Sequence, residues 1–466
     1  MDSLCYHTIL REATMSFGRT PRLVWFFFLG STFVVWYQLG QYAIPLTGCL
    51  SPEWTASSAN AVLGLTPDNT ENNTMRSKEL KDTSEDETFE LAQPSAVDKL
   101  FYEDVRYLCD KVDDAPLMRA DEGINSTHIV QDCFTALEQT LHHPAVRRIS
   151  QHGCKEGGFT LFHTVWVGPI WDAVRLGLMS TVYSHPQGCV QLNMWTTTEE
   201  NRSNISETLK PYFSAFSLKV HVLNGTSLLN DLEETLPSLQ PLIQQKRDVF
   251  VDLTSMKGRL LPGFSDGMRF LLLAAYGGVY VDADVLVLRS FQPLVDNGRT
   301  SRDFYYRWST QMYGNTAILY MKKGSANARL IVGMALNETY GGLGLSRFAA
   351  VLHPHRIKRC NDLLGGNMEM LPSAYFDPSW AVHDIGSPAM SWTASQFGLH
   401  NHLEFFKYPI SGARTLQHPK DFFPGAFTYH WHNRYDHKIV PHSVAWVFLR
   451  HFEAMAALET NSTEAV

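Results

Sequence analysis

Charge is scarce in this chain: only 18% of its 466 residues are Asp, Glu, Lys or Arg. The little there is leans acidic, with 39 Lys and Arg against 47 Asp and Glu and a net charge of −8. A surface built to grip nucleic acid needs a basic excess, so that function class is excluded. Cysteine is scarce too: seven residues and no C-x-x-C pair exclude a disulfide-dense scaffold and argue against a structural zinc site. No internal repeat is found. What the chain has is apolar and aromatic: 44% hydrophobic residues, with 11 Trp, 18 Tyr and 27 Phe. That supports a sizeable core, excludes global disorder and leaves room for two or three domains at roughly 100–200 residues each.

One absence is local. No charged residue occurs between Arg22 and Glu53. Within that window residues 23–46 (LVWFFFLGSTFVVWYQLGQYAIPL) are mostly apolar, and a spanning helix needs about 20 such residues. Trp25, Trp36, Tyr37 and Tyr42 lie towards its ends, as in an aromatic belt. Arg11, Arg19 and Arg22 precede it, which by the positive-inside rule leaves residues 1–22 cytoplasmic and the rest translocated. The sequence thus predicts a transmembrane signal-anchor over 23–46. A cleaved signal peptide, cut near Leu46-Thr47-Gly48, is the alternative, disfavoured by the long leader before it. N-x-[ST] sequons begin at Asn72, Asn125, Asn201, Asn204, Asn224, Asn337 and Asn461, all beyond the window. So are six of the seven cysteines: Cys49, Cys109, Cys133, Cys154, Cys189 and Cys360. Both fit a glycosylating, oxidising compartment. Cys49 could also bridge two chains as a homodimer.

Residues 47–97 are rich in Ser, Thr, Asn, Asp and Glu and read as a flexible stem. Over 98–150 apolar spacing returns, as at Val130, Phe134, Leu137 and Leu141, predicting a helical neck or the start of the globular part. From Gly157 short apolar runs (FTLFHTVWV, CVQLNMW, LKVHVL) alternate with a helical stretch (IWDAVRLGLMSTVYS). This alternation predicts an α/β fold with a mainly parallel central sheet over 151–455, and 456–466 is expected to be a disordered tail.

The stretch that carries chemistry is SDGMRFLLLAAYGGVYVDADVLVLRSF, Ser265 to Phe291. Apolar residues at helical density follow the Asp266–Arg269 pair, and Gly277-Gly278 ends the helix, since glycine suits the left-handed cap. Val279-Tyr280-Val281 is a short buried strand with Asp282-Ala283-Asp284 at its carboxyl end. Parallel α/β sheets place ligands there. Two carboxylates at i and i+2 can share a divalent cation, and oxygen ligands suit Mg²⁺ and Mn²⁺. Such an ion neutralises a diphosphate leaving group.

A bare D-x-D is weak, but the whole frame S-D-x-x-R…Y-G-G-x-Y-x-D-x-D resembles the sugar-binding DXD region of the glycosyltransferase family 32 type. That group includes α-1,4-galactosyl- and α-1,4-N-acetylglucosaminyltransferases and initiating mannosyltransferases. The resemblance implies a GT-A-type, Rossmann-like nucleotide-sugar domain on a type II membrane layout in the Golgi. It also implies a hexose or N-acetylhexosamine moved, with retention, from a UDP- or GDP-sugar to a glycan or glycolipid acceptor with the help of Mn²⁺ or Mg²⁺. Phe162 to Pro169 looks like the family's first strand, so Trp166 would stack on the donor's base. Asp266 and Arg269 would bind donor-sugar hydroxyls, and Tyr280 and Asp282 would line the donor. Asp284 would hold the metal directly, with Asp282 beside it. Tyr429-His430-Trp431-His432-Asn433 resembles the family's H-x-W-N segment, and there His430 would face the diphosphate or the metal and Asn433 the donor. His432 stands where the family has Trp, which leaves the roles in that segment open. Asn315–Ile318 and Leu371–Phe376 match the family only loosely.

Two other classes compete. A strand followed by Asp-x-Asp also opens haloacid-dehalogenase-like phosphatases, with Asp282 as nucleophile. There the motif usually begins the domain and a later acidic motif follows; here about 125 residues of α/β pattern precede it and no such motif follows. A non-catalytic glycan-binding paralogue is the third reading, opposed by the intact Asp282/Asp284 pair.

Overall fold

The computed structural model describes residues 24–28, 31–35, 96–118, 126–147, 160–251, 261–295, 302–308, 314–337, 367–379, 402–407, 416 and 419–463. The chain divides into two compact units, Met1–Thr55 and Ala56–Val466. In the first, β1 (Val24–Phe28) pairs antiparallel with β2 (Ser31–Val35), Val24 opposite Val35 and Phe28 opposite Ser31. The expected helix over 23–46 is therefore a hairpin in its described part. Val, Phe, Trp and Thr favour extended backbone. Among the described residues no helix is long and apolar enough to cross a membrane. The expected cytoplasmic tail and the stem up to residue 95 lie outside the described residues.

The second unit is built on a seven-stranded sheet. Its strands are β3 (Thr160–Val165), β4 (Val190–Thr196), β5 (Leu218–Val222), β6 (Gly278–Val281), β8 (Phe304–Arg307), β9 (Gly314–Met321) and β10 (Glu369–Leu371), ordered β10-β8-β9-β6-β3-β4-β5. Pairing is parallel at β5–β4–β3–β6 and at β10–β8, and antiparallel on both sides of β9, so only β9 runs against the rest. The expected α/β fold with a mostly parallel sheet is observed. Fully buried strands such as Val279–Val281 and Ala317–Leu319 read as continuous apolar runs because both faces of the sheet are covered.

The residues expected to be a neck belong to the core. Helices α1 (Val105–Met118) and α2 (Ser126–Thr140) are joined by the Cys109–Cys133 disulfide. Phe101, Cys109, Cys133 and Leu137 sit in one buried cluster with Phe291 and Phe427. Asp113 of α1 accepts from both the backbone N–H (2.9 Å) and the hydroxyl of Ser373. Arg307 donates to Asp114 at 2.7 Å, and Arg289 reaches from the sheet to Thr140 Oγ1 at 2.8 Å. The tail over 456–466 also differs from expectation, because helix Val444–Thr463 continues into it. Ala and Leu are strong helix formers, and Ala456 is buried.

Candidate active site

Chain direction brings the site together. Helix α3 (Asp172–Tyr183) follows β3, and α7 (Leu261–Tyr276) feeds β6; between them lie α4 (Glu199–Leu209), α5 (Gly225–Thr235) and α6 (Gln240–Val251). Gly277 caps α7 with φ +72°, its N–H donating to Leu273 at 2.8 Å. Gly278, at φ +102°, starts β6 so close to β3 that a Cβ there would lie 2.3 Å from the Leu161 carbonyl oxygen. At the carboxyl end of β6 the Asp282 N–H still bonds the Ala317 carbonyl (2.8 Å). The chain then turns, Val285 N–H donating to the Asp282 carbonyl, and leaves the sheet as β7 (Val285–Val287). β7 pairs antiparallel with β11 (Thr428–His430), and the register sets His430 opposite Val285. That register seats His430 beside Asp284, which no local sequence signal shows. Gly177 of α3 lets the helix press on the turn, since a Cβ there would lie 2.7 Å from the Ala283 carbonyl.

Two clusters result. In the first, Arg269 is buried, 4% exposed at its side chain, and donates to Asp266 (2.7 Å), Asp282 (3.2 Å) and Thr316 Oγ1 (2.9 Å). Its guanidinium lies over the Tyr280 ring at 4.7 Å. Burial disfavours the Arg269 cation, but Asp282 and Asp266 outweigh that and hold its pKa above the ordinary value. Burial pushes the Asp282 carboxyl up to about 6, with Arg269 pulling it down and Asp284 adding to the rise.

The second cluster surrounds Asp284, which is 2% exposed. Its Oδ2 accepts the Asn433 N–H at 2.6 Å and lies 3.2 Å from His430 Nε2. Burial opposes ionisation, yet the charge and hydrogen bond of His430, the Asn433 N–H and His432 hold this carboxyl down at about 2. Its Oδ1 is buried and has no hydrogen-bond partner. A buried carboxylate oxygen left unpaired is costly, and a bound cation would satisfy it. His430 Nδ1 is 3.1 Å from the Tyr306 hydroxyl, and its Nε2–H points at Asp284 Oδ2, the arrangement of a protonated ring held between two acceptors. Burial lowers the pKa of His430, and Asp284 more than reverses this.

The structure thus brings Asp266, Arg269, Tyr280, Asp282, Asp284, His430 and Asn433 into one locale. Asn433 contributes its backbone N–H, held at φ +62°, a conformation that Asn tolerates better than most residues. Trp166 follows β3 and differs from an open stacking platform. It is 9% exposed, its ring N–H donates to the Gly168 and Pro169 carbonyls, and Tyr435 and Trp171 meet it edge-on at 4.9 and 5.9 Å. Trp171, 39% exposed, presents more open ring surface.

Three residues were missed. Asp377 lies one position beyond the Leu371–Phe376 segment; its Oδ2 is 2.8 Å from His432 Nε2 and 3.8 Å from His430 Nδ1. Asp377, His430 and His432 could together hold a metal ion. Tyr306 carried no signal beyond an apolar strand. Tyr435, whose hydroxyl is 3.5 Å from Asn433 Oδ1, stood just past the quoted H-x-W-N segment.

Comparison with known proteins assigns the class. Residues 174–301 match the family described as the glycosyltransferase sugar-binding region containing DXD motif. The match supports a family 32-like assignment, and the chain is a transferase with a DXD sugar-binding region. No curated protein matches the sequence. Solved structures similar to it include PaToxG glycosyltransferase, at 12% identity and TM-score 0.31, covering 57% of this chain and 89% of that one. The glycosyltransferase GlyE of Streptococcus pneumoniae TIGR4 is similar at 12% identity and TM-score 0.35, covering 66% of this chain and 64% of that one. The UDP-bound glycosyltransferase domain of the YGT toxin is similar at 11% identity and TM-score 0.25, covering 45% and 68%. These likenesses are remote, and nothing below rests on them.

Proposed function

We propose that this protein is a divalent-metal-dependent, retaining GT-A-type hexosyl- or N-acetylhexosaminyltransferase, moving sugar from a UDP- or GDP-sugar to a glycan or glycolipid. The observation that carries the reading is the unpaired, buried Oδ1 of Asp284, whose other oxygen lies 3.2 Å from His430 Nε2. Asp282, Asp284 and His430 would hold the cation, and a mixed carboxylate–imidazole set suits Mn²⁺. When bound, such an ion neutralises charge on a diphosphate leaving group. Arg269 fixes Asp266 and Asp282 in place, so that both carboxylates meet donor hydroxyls without reorganising. Asp282 is tied to Arg269, which suits donor orientation and opposes its use as a phosphatase nucleophile. Among the described residues the one further carboxylate of this locale, Asp377, is tied to His432, so we favour a front-face reaction in which the leaving diphosphate takes the acceptor's proton. Trapping a covalent glycosyl-enzyme would overturn that step.

Luminal placement in the Golgi, with a type II layout, is part of the proposal. It is supported by the seven sequons, the Cys109–Cys133 bond and the charge-free window 23–46 with arginines before it, although the described residues of that window form β1 and β2. The test is nucleoside diphosphate release by the full chain from a panel of UDP- and GDP-sugars, with Mn²⁺ and with chelator. Metal-dependent release from one donor, absent in Asp284→Asn, is expected. Donor binding and release unaffected by chelator would contradict the reading.

A further inference from the structure

The sequons serve more than to mark a compartment. Three of them fall on described side chains, Asn201, Asn204 and Asn224, and all three flank one feature, strand β5. β5 closes the sheet on one side and pairs only with β4, so among the described residues no strand pairs with its outer edge. Leu218, Val220 and Val222 are only half-buried, and Lys219 is the one exposed charge on the strand. An unpaired edge of this kind is a template for pairing with another chain, and one lysine is a thin defence.

The sequons bracket that strand in sequence, and the helix bearing two of them packs against it. Asn204 is exposed on α4, which precedes β5. Asn224 lies two residues beyond the end of β5 and is exposed as the cap of α5. Its Oδ1 accepts the Ser227 N–H at 3.0 Å, a bond that engages the oxygen and leaves the amide nitrogen for modification. Asn201 is half-buried and three residues from Asn204. Residues so spaced on a helix are neighbours about 5–6 Å apart, too close for two oligosaccharides.

We propose that N-linked oligosaccharides on Asn204 and Asn224 sheath the edge of β5 and keep it from pairing with a second chain. The inference rests on the translocated placement proposed above. The donor is an oligosaccharide linked to a lipid diphosphate. The Asn Nδ2 forms a bond to sugar C1 as the C1–O bond to the diphosphate breaks, the lipid diphosphate leaves, and the amide gives up one proton.

The test uses the full chain made in eukaryotic cells. Amidase release of glycans in heavy-oxygen water converts each occupied Asn to a labelled Asp, which peptide mass spectrometry locates. High occupancy at Asn204 and Asn224, and little at Asn201, is expected. The variant Ser203→Ala/Ser206→Ala/Thr226→Ala removes the three sequons yet keeps every Asn and the α5 cap. Its mass-average size by light scattering should rise at least twofold over wild type. Glycosidase treatment of the folded wild-type protein should produce the same rise and does not depend on the variant folding. Occupancy at other sequons but neither of these overturns the inference and leaves the compartment standing. No occupancy at any of the seven overturns both. Full occupancy with no change in size on glycan removal overturns the sheathing role.

Discussion

Asp113 and Asp284 are both almost fully buried, at 1% and 2% exposure, and the fold treats them in opposite ways. Asp113, in the seam between α1 and the sheet, has both oxygens occupied by Ser373. Burial dominates there, offset only partly by Arg307 and Ser373, and pushes its carboxyl up to about 7. Asp284 has one oxygen shared between Asn433 and His430 and the other unpaired, and its carboxyl is held down at about 2. Equal burial therefore does not decide what a carboxylate is for. A closed set of neutral donors makes Asp113 a stitch between segments; a cationic neighbour and an open lone pair make Asp284 ready for a ligand.

The sharpest way to break this contrast is to remove charge at each place. Asp284→Asn keeps the shape and an acceptor for the Asn433 N–H, yet transfer should fall on the order of 10³-fold, as when a principal electrostatic group is lost. Circular dichroism at 25 °C should show a folded protein. At the seam the effects reverse. Replacing Cys109 and Cys133 by Ser opens a cross-link spanning 24 residues, and denaturant unfolding should show a loss of about 3 kcal/mol. Transfer by the folded protein should stay within about twofold, because no site residue lies on α1 or α2.

Asp113→Ala strands the Ser373 N–H and hydroxyl in the core, at a cost of about 1–3 kcal/mol by the same measurement. Its pH signature has a definite sign. The folded pKa of about 7 stands above the model-peptide value of 3.8, so the contribution of Asp113 to stability is fully present below about pH 4. It is lost as pH rises through 7. Tm should decline over that window in the wild type, and Asp113→Asn should flatten the decline. The smallest effect falls back at the site. Arg269→Lys keeps the charge but loses the planar fork that holds Asp266, Asp282 and Thr316, so the donor KM should rise about tenfold with little change in Tm.

These outcomes also trace what the sequence could disclose. The run from Ser265 to Phe291 displayed its helix, glycine stop, strand and carboxylate pair because every one of those signals is local. The parallel strands from Gly157 onward were legible for the same reason, since buried runs alternate with helical spacing. His430 was legible only through resemblance; its place beside Asp284 follows from the β7–β11 register, a contact across about 145 residues. Asp377 and Tyr306 were invisible because their partners, His432 and His430, lie 55 and 124 residues further along. Between a neck and the start of the globular part the sequence left the choice open for a related reason: Phe101, Cys109 and Leu137 show helical spacing, but nothing local says that Phe291 and Phe427 wait for them. The hairpin at β1–β2 shows the opposite limit, where an apolar run supports a helix by length and a strand by residue type.

The account turns on Asp284 as the anchor of a divalent cation, and Mn²⁺ binding tests it most directly. Electron paramagnetic resonance titration of the full chain, with UDP or GDP present, counts bound ions without relying on turnover. One tightly bound Mn²⁺ per chain, lost in Asp284→Asn and retained in Asp113→Asn, is the predicted result. Equal Mn²⁺ binding by wild type and Asp284→Asn would contradict it.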